Sequence, residues 1–370
     1  MINDAELRFK IAITQIPGIG PVNGKVLMAY CGSAQAVLTA TKKELMQIPG
    51  VGETTTKSVL DHSAAALARA DCELDFIDKN NVQVLFYADK NYPARLKQYN
   101  DCPFLLYFKG SVSLDHARTV GVVGTRKITP YGEMMCDQIV TDLLKYDVQV
   151  ISGLAYGVDV AAHKRCLDIG IPTIGIMGNG LGRVYPHAHK RTAERMIENG
   201  GLLTEHLQDI GPEREHFPMR NRLIAALSDA LVVVETAESG GSIITAELAN
   251  TYNKDVFAVP GRLNDPFSKG CNKLIKTNKA ALIESAADIS YIMRWDEMDN
   301  KQRNVQAQLF VELTEDEQLM VDTLRGSTDM QIDAITTKTG FSPSKTASLL
   351  LTLEFQGLVK AMPGKRYMLR

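Results

Sequence analysis

The chain has 370 residues, of which 45% are hydrophobic and 23% charged, and its formal net charge is −2. A chain of this length is too long for one ordinary hydrophobic core and predicts two or three domains. Because the charge is nearly balanced, a global positive field is excluded, and any polyanion must bind to a local basic patch.

Several features that the sequence lacks bear on its location. No apolar run reaches the roughly 18 residues of a membrane span, and the first residues carry no basic flank followed by an apolar core, as a secretion signal would. The six cysteines lie far apart and form no Cys-x-x-Cys pair. We therefore expect a cytoplasmic protein that contacts no membrane and whose reduced thiols serve as small apolar side chains.

Residues 1–70 contain an internal repeat. The segments Ile-Pro-Gly-Ile-Gly, beginning at Ile16, and Ile-Pro-Gly-Val-Gly, beginning at Ile48, each lead into a helical stretch. Each unit resembles the helix-hairpin-helix of DNA-binding proteins, in which a glycine turn donates backbone N–H groups to a phosphate. Basic residues only slightly outnumber acidic ones here, so a DNA contact and a purely structural helical bundle are equally supported.

Between residue 71 and the main alternating region, the sequence predicts a helix over 74–80 and a strand over 82–87. An aromatic-rich connection follows through residues 92–107. We expect this segment to pack onto the edge of the sheet that comes next.

Residues 118–290 alternate short apolar strands with helical stretches, which is typical of a parallel sheet covered by helices on both faces. The predicted strands span residues 120–123, 148–151, 173–177, 202–203, 231–234 and 256–259. In such sheets, ligands bind outside the carboxyl ends of the strands. Glycine-containing loops follow five of these six strands, and three of the loops carry an arginine, namely Arg126, Arg183 and Arg262. The pattern predicts one extended anion-binding rim.

The most informative stretch spans residues 217–247. Arg220 and Arg222 flank Asn221 at the start of an apolar-periodic helix, and after a buried strand Ser239-Gly240-Gly241-Ser242 leads into a second helix over 243–252. Glycines at a helix start expose backbone N–H groups, and the helix dipole adds positive potential there. Since a guanidinium group matches the geometry of phosphate oxygens, the expected anion is a phosphate.

Motifs for cofactors and catalysis are incomplete. The segment after Gly121 lacks the third glycine and the ribose-binding acid of a dinucleotide site, and Gly24-Lys25 lacks the first glycine and the Ser or Thr of a Walker loop. No Ser/His/Asp order or two-histidine metal spacing is present, and His187 and His189 are predicted to be solvated or to face phosphate. We expect no cofactor, no metal and no catalytic residue.

The C-terminal part of the sequence predicts a separate module. Residues 297–313 form a polar linker, after which Thr314 and Glu317 make a capping box. Helices are predicted over 315–325, 331–338 and 343–356, followed by a hairpin over 359–369. Three helices and a hairpin are typical of a winged helix. Because its charges are balanced, this module is at least as suited to a protein partner as to DNA.

The predicted fold is α/β. It consists of an extended Rossmann-like parallel sheet with helices on both faces (residues 71–296), an N-terminal helical domain of SAM or helix-hairpin-helix type (1–70) and a C-terminal winged-helix-like domain (314–370). With these modules in this order, the chain closely resembles the DprA/Smf family of bacterial DNA-processing proteins over nearly its whole length. The most specific matches are Gly124-Thr125-Arg126, Ser152-Gly153-Leu154-Ala155-Tyr156-Gly157-Val158-Asp159, Phe217-Pro218-Met219-Arg220-Asn221-Arg222 and Ser239-Gly240-Gly241-Ser242.

The resemblance implies a non-catalytic protein that binds and protects single-stranded DNA during natural transformation, loads the RecA recombinase onto it and works as a homodimer. It also implies residue roles. Arg126, Arg220 and Arg222 would hold backbone phosphates, Lys190 and Arg214 would be outer contacts, and Tyr156 would stack on a base. The remaining candidates are the N–H donors Gly153, Gly240 and Ser242, the rim residues Arg183, Asn221 and Arg262, and the dimer contacts Ile275 and Leu282.

Two positions depart from the family pattern. His187 stands after Tyr185-Pro186 where the family often has Lys, and a histidine is charged only when protonated, which weakens that contact at neutral pH. Asn278-Lys279 replaces a small Gly-Ala step near the candidate dimer contacts.

A competing hypothesis is an enzyme that acts on nucleotides. The segment from Ser239 to Glu247 resembles a distorted form of the Pro-Gly-Gly-x-Gly-Thr-x-x-Glu loop of lysine-decarboxylase-like phosphoribohydrolases, in which the Glu assists departure of the base. The second part of the loop does not match, and those enzymes lack both flanking modules.

Overall fold

A computed structural model describes residues 4–295, 313–325, 329–355, 358–362 and 364–369. The chain divides into two compact units, one over Met1–Asp296 and one over Glu297–Arg370, which are described separately. The linker predicted over residues 297–313 lies almost entirely outside the described residues. In the described part of the chain, no helix has the length and apolar character needed to cross a bilayer.

The first unit begins with five helices that contain the predicted repeat. Gly18 and Gly50 occupy equivalent turns with φ of 77° and 81°, a left-handed conformation that glycine adopts without a steric penalty. Thr41 and Glu44 form a capping box that starts the fourth helix. The helices are α1 (Asp4–Ile13), α2 (Pro21–Cys31), α3 (Ala34–Thr39), α4 (Lys42–Met46) and α5 (Glu53–Asn80).

The boundary predicted at residue 70 falls inside α5, which continues to Asn80, where Asn81 ends it in a left-handed conformation. Apolar side chains of these helices, such as Leu27 and Val59, share one buried cluster with Phe86 and Tyr107 of the sheet domain. The helical domain is therefore continuous with the sheet domain, because its core is completed by residues beyond the predicted boundary. The separate helix predicted over 74–80 is the end of α5.

Glu73 joins α5 to the sheet domain through a buried carboxylate. Its side chain is 3% exposed, and both carboxylate oxygens accept from the Gln208 N–H, at 3.2 and 3.0 Å. Burial raises the pKa of Glu73 to about 7, although the Gln208 N–H and Arg69 act in the opposite direction. Between its ordinary pKa of 4.5 and about 7, the folded protein therefore holds a proton that the unfolded chain releases.

This linkage predicts that the Glu73 contribution to stability is complete below pH 4.5 and is lost as the pH rises through about 7. Glu73→Gln keeps an acceptor for the Gln208 N–H but removes the ionisation. We expect the difference in unfolding free energy, Glu73→Gln minus wild type, to become more positive as the pH rises from 5 to 8. Urea unfolding across that range is the measurement, and Glu198→Gln, at an exposed position, is the control. Parallel curves for wild type and Glu73→Gln would contradict the assignment.

The sheet of this unit has nine strands in the order β1-β2-β6-β5-β4-β3-β7-β8-β9. Strands β3 to β9 pair in parallel, whereas β1 and β2 add an antiparallel edge. The strands are β1 (Gln83–Phe86), β2 (Leu105–Gly110), β3 (Thr119–Val123), β4 (Gln149–Gly153), β5 (Thr173–Ile176), β6 (Gly200–Thr204), β7 (Ala230–Val233), β8 (Asp255–Ala258) and β9 (Ala281–Leu282).

The fold class predicted from the sequence is confirmed, with helices on both faces of the sheet. The alternation of a strand sends Leu231 and Val233 of β7 into one buried layer and Val232 and Val234 into the other. The helices are α6 (Ala94–Lys97), α7 (Pro130–Leu143), α8 (Val158–Ile169), α9 (Lys190–Glu198), α10 (His216–Leu227), α11 (Gly241–Thr251), α12 (Lys269–Lys276) and α13 (Ala286–Met293). Residues of α7, α8 and α13 line one layer, and residues of α10, α11 and α12 line the other.

The second unit has the helices and hairpin predicted for a winged helix. Its elements are α14 (Glu315–Leu324), β10 (Met330–Gln331), α15 (Ile332–Thr339), α16 (Pro343–Phe355), β11 (Val359–Met362) and β12 (Arg366–Leu369). The three strands form a small sheet in the order β10-β12-β11. Met320, Ile335 and Leu350, one from each helix, meet in its core.

Candidate nucleic-acid interface

The loops that follow the parallel strands come together at one edge of the sheet. Strand β3 lies between β4 and β7, so the chain moves away from β3 in one direction through β4, β5 and β6 and in the other through β7, β8 and β9. At such a reversal of strand order the flanking loops diverge and leave a crevice, where ligands of open α/β sheets bind. We call the loops after β3, β4, β5, β7 and β8, together with residues 190–191 at the start of α9 and residues 214–217 leading into α10, the rim.

Arg126 lies on the rim in the loop after β3 and is exposed. Its guanidinium carbon is 5.4 Å from the centroid of the Phe217 ring, which holds the side chain by a cation–π contact. The Phe217 ring is in turn 5.8 Å from that of Tyr185. Arg126 forms no ion pair with a carboxylate in the part of the chain that the structure describes, so its donors are available to an anion.

A narrow depression, the arginine pocket, lies beside Arg126 between the ends of β4 and β5. Its lining includes Arg126, Tyr156, Tyr185, Phe217 and Arg220, and its volume is ≈ 30 Å³. That volume holds about one water molecule and is too small for a nucleobase. The arginine pocket can therefore accept a phosphate oxygen, while a base would have to stack on its outer aromatic rings.

Tyr156 supplies one such ring, since 50% of its surface is exposed. His189 supports it from below, with ring centroids 4.8 Å apart in an edge-on arrangement. His189 Nδ1 lies 2.8 Å from the Leu154 carbonyl oxygen, and the side chain is buried. The prediction that His189 is solvated or faces phosphate is wrong, whereas His187 is exposed as predicted. Among the described residues no cluster of His, Cys, Asp and Glu is arranged to hold a metal ion.

Arg220 is buried beneath the rim, with 5% of its surface exposed. One of its Nη atoms donates to the carbonyl oxygen of Ile176 at the end of β5, and its Nε donates to Asn221 Oδ1 at 3.2 Å. Burial lowers the pKa of Arg220 to about 10, although the nearby Asp159 carboxylate opposes the shift. Arg220 therefore keeps its charge at neutral pH and forms the floor of the arginine pocket.

Arg222 does not reach the rim. Its Nη2 donates to Glu205 Oε2 at 2.5 Å, and the side chains of both partners are 13% exposed. Residues i and i+2 of a helix point in different directions, so Arg222 lies away from Arg220 and meets the loop after β6. Its predicted role as a phosphate contact is corrected to that of a structural ion pair.

The glycine loops differ from the N–H cradle predicted for them. Gly153 is buried, and a Cβ there would collide with the Arg220 guanidinium, so this glycine makes room for the arginine. The Gly240 N–H donates to the Ala237 carbonyl oxygen at 3.2 Å, and the Ser242 hydroxyl donates to Thr236 Oγ1 at 2.6 Å. The donors that remain at the start of α11 are the Gly241 and Ser242 backbone N–H groups, which have no hydrogen-bond partner among the described residues.

The arginines of the first unit differ in whether they pair with a carboxylate. Arginines away from the rim mostly pair with carboxylates, as in Arg95–Asp229 at 2.8 Å and Arg195–Asp168 at 2.9 Å, whereas lysines such as Lys57 and Lys164 make no such pair among the described residues. Within the described residues, the exposed rim cations make no such pair closer than the 4.0 Å contact between Lys190 and Glu194. These cations are Arg126, Lys127, Arg183, Lys190, Arg191, Arg214 and Arg262.

Sequence reasoning missed several contributors to this surface. Lys127 and Arg191 each follow a residue that was identified, and their exposure adds to the same surface. Phe217 and Tyr185 belonged to recognised motifs, but their contact across the arginine pocket joins segments distant in sequence. Their position next to residues already identified as candidates is the sequence feature that could have indicated them.

The two predicted dimer contacts lie near the β9 edge of the sheet. Leu282 is 47% exposed and belongs to β9, the outermost strand of the sheet. Ile275 is half-buried and packs against the core beneath α12. An apolar side chain on an edge strand suits pairing with a second chain.

Glu247, the residue that a phosphoribohydrolase would use, is poorly placed for catalysis. It is exposed on α11, and its carboxylate pairs with the Lys279 ammonium at 3.1 Å. The geometry does not favour the enzymatic alternative, which predicts release of free base when the protein is incubated with nucleoside monophosphates.

Comparison with known proteins agrees with the three-part organisation. Residues 83–294 match the family model for the DNA recombination-mediator protein A, residues 307–365 that for the DprA winged helix domain, and residues 10–71 that for a SAM-like helix-hairpin-helix tandem. The DNA processing protein DprA of Bacillus subtilis (strain 168) is 37% identical over 212 residues, which is 57% of this chain and 71% of that protein.

Two solved structures are similar to this chain. The X-ray structure of DNA processing protein A from Streptococcus pneumoniae has a TM-score of 0.67 and 29% identity, covering 78% of this chain and 97% of that one. A structure of DNA processing protein A from Helicobacter pylori, described for its single-stranded DNA binding mode, has a TM-score of 0.53 and 30% identity. It covers 58% of this chain and 96% of that one.

Proposed function

The chain belongs to the DNA recombination-mediator protein A family, also called DprA or Smf, and from this premise we propose that it binds single-stranded DNA along the rim. The observation that carries the proposal is the concentration there of exposed arginines without a carboxylate partner among the described residues, in a first unit whose other arginines mostly pair with carboxylates. A phosphate backbone binds such a line of charges without sequence preference.

The rings on the rim support a single strand over a duplex. Tyr156 is half exposed beside the arginine pocket, and Tyr185 is 44% exposed on its other side. Bases of a single strand can stack on such rings, whereas the bases of a duplex are already stacked on one another. The H. pylori relative, whose structure is described for its binding of single-stranded DNA, has a similar fold.

We further propose that the protein acts without catalysis in natural transformation, where it protects the incoming strand and loads a RecA-type recombinase in the cytoplasm. In this proposal it works as a homodimer through Ile275 and the exposed edge residue Leu282. Sedimentation equilibrium measures the oligomeric state, and a monomer at all concentrations would remove the dimer from the proposal.

A fluorescence titration with single- and double-stranded oligonucleotides of equal length tests the central proposal. The single strand should bind more tightly, and the logarithm of its binding constant should fall linearly with the logarithm of salt concentration, by about 0.7 per phosphate contact. Equal affinity for the two forms, or a salt slope near zero, would contradict binding of single strands by the rim.

A further inference from the structure

A second, larger cleft lies on the other side of the Arg126 loop. It has a volume of ≈ 570 Å³ and is bounded by the start of α7, with Thr129, Pro130 and Tyr131, and by the loop after β8, with Pro260, Arg262 and Asp265. Pockets that hold small organic ligands have volumes of about 300–1,000 Å³. The cleft, unlike the arginine pocket, is therefore large enough for a nucleobase.

The wall of the cleft is built around the Tyr131 ring. The ring is 39% exposed, and its hydroxyl donates to the Pro260 carbonyl oxygen at 2.7 Å. This bond anchors the ring across the cleft, so the ring is ordered before any ligand arrives. An exposed, preorganised aromatic face is what a nucleobase stacks on, with little dependence on which base it is.

The charges of the cleft distinguish a base from a phosphate. Asp265 accepts from the Phe267 N–H at 2.9 Å, and its carboxylate makes the wall unfavourable for an anion. Arg262 also lines the cleft and is exposed, with no ion pair to a carboxylate among the described residues. One wall therefore suits an uncharged ring, while the arginine offers a contact for the phosphate attached to it.

The cleft and the arginine pocket both lie along the rim. The arginine pocket lies at the ends of β4 and β5, and the cleft lies between the segments that follow β3 and β8. With neighbouring strands about 4.8 Å apart, the two are separated by roughly 12 Å along the rim. Arg126 and Lys127 lie in the loop between them, so positive charge is continuous over this distance.

We propose that this cleft is a base-binding subsite for a further nucleotide of the same single strand, with the base stacked on Tyr131 and its phosphate held by Arg262. The inference rests on the proposed function. It adds the path of the strand over the protein surface, which runs from the arginine pocket across the Arg126 loop toward α7 and β8. It also implies that a short oligonucleotide fills only the arginine pocket and a longer one fills both sites.

The test measures affinity for a 5′-phosphorylated dithymidylate, which is too short to span the roughly 12 Å between the two sites, and for an oligothymidylate of about twelve nucleotides, a length within the range covered by one single-strand-binding module. Tyr131→Ala should weaken binding of the longer oligonucleotide by roughly 5- to 100-fold, since one stacked base contributes about 1–3 kcal/mol. Its affinity for the shorter one should be unchanged. Arg262→Ala should show the same length dependence, whereas Arg126→Ala should weaken both.

Tyr131→Phe separates a binding role from a structural one. It keeps the ring but loses the hydrogen bond to Pro260 that orders it, so its affinity for the longer oligonucleotide should lie between those of Tyr131→Ala and the wild type. Equal losses in Tyr131→Phe and Tyr131→Ala would overturn the subsite, and so would an unchanged affinity of Tyr131→Ala for the longer oligonucleotide. If Arg126→Ala also had no effect, the proposed function itself would fail, so the two failures can be told apart.

Discussion

Arg126→Ala is expected to weaken single-stranded DNA binding by roughly 10- to 100-fold, because a hydrogen bond between charged groups contributes about 1.5–3 kcal/mol. The guanidinium is exposed, lies 5.4 Å from the Phe217 ring centroid and makes no ion pair with a carboxylate among the described residues. The slope of log K against log salt should fall by about 0.7, the value for one phosphate contact on a single strand. Fluorescence titrations at several salt concentrations measure both quantities.

Two variants serve as controls for Arg126. Arg195→Ala removes the same charge from α9, where Arg195 is paired with Asp168 at 2.9 Å and lies at the end of the helix away from the rim, so it should leave affinity and slope nearly unchanged. Arg126→Lys keeps the charge but loses the planar fork and its stacking on Phe217, so it should bind with intermediate affinity and the wild-type salt slope. If Arg195→Ala weakened binding as much as Arg126→Ala, only net charge would matter, and the rim would not be the site.

The sheet could be predicted from the sequence because its strands are buried on both faces. The uninterrupted run from Leu231 to Val234 has no solvent-facing residue, as expected of a central parallel strand, and β7 (Ala230–Val233) covers all of it except Val234. Strand β2, by contrast, was interpreted as part of a connection. Its pairing with β1 and β6 is antiparallel and joins residues far apart in sequence, and no local pattern specifies such a partner.

The candidate site was only partly predictable, for a different physical reason. The sequence identifies which cations lie near strand ends, but only the fold determines which of them meets a carboxylate. Arg126 and Arg222 both belong to specific motifs, yet Arg222 is paired with Glu205 from the loop after β6, while Arg126 faces solvent. Helix geometry alone indicates that Arg220 and Arg222 diverge. The identity of Glu205 as the partner requires the tertiary structure.

Arg220→Ala is expected to destabilise the first unit rather than simply remove a DNA contact. The substitution leaves the Asp159 carboxylate buried without its compensating positive charge and the Ile176 carbonyl oxygen without its donor. Leaving a buried charge without its compensating partner costs about 3–5 kcal/mol, which corresponds to a fall in Tm of roughly 6–20 °C for a large domain. Thermal unfolding followed by circular dichroism measures the loss, and Arg126→Ala, at an exposed position, should unfold close to the wild-type temperature.

The buried Asp159 carboxylate determines how the loss of stability in Arg220→Ala depends on pH. Burial raises the pKa of Asp159, and the Arg220 charge opposes that rise, so removal of the arginine raises the pKa further and lets Asp159 take up a proton in the folded state. A group whose folded pKa is raised stabilises the folded state below its unfolded pKa and loses that effect as pH rises. The deficit of Arg220→Ala should therefore shrink as the pH falls from 8 to 5. Asp159→Asn in the Arg220→Ala background should recover part of the lost stability at pH 8, since the effects of residues that interact electrostatically are not additive. A deficit that is independent of pH and unaffected by Asp159→Asn would show that Arg220 supports the arginine pocket through packing alone.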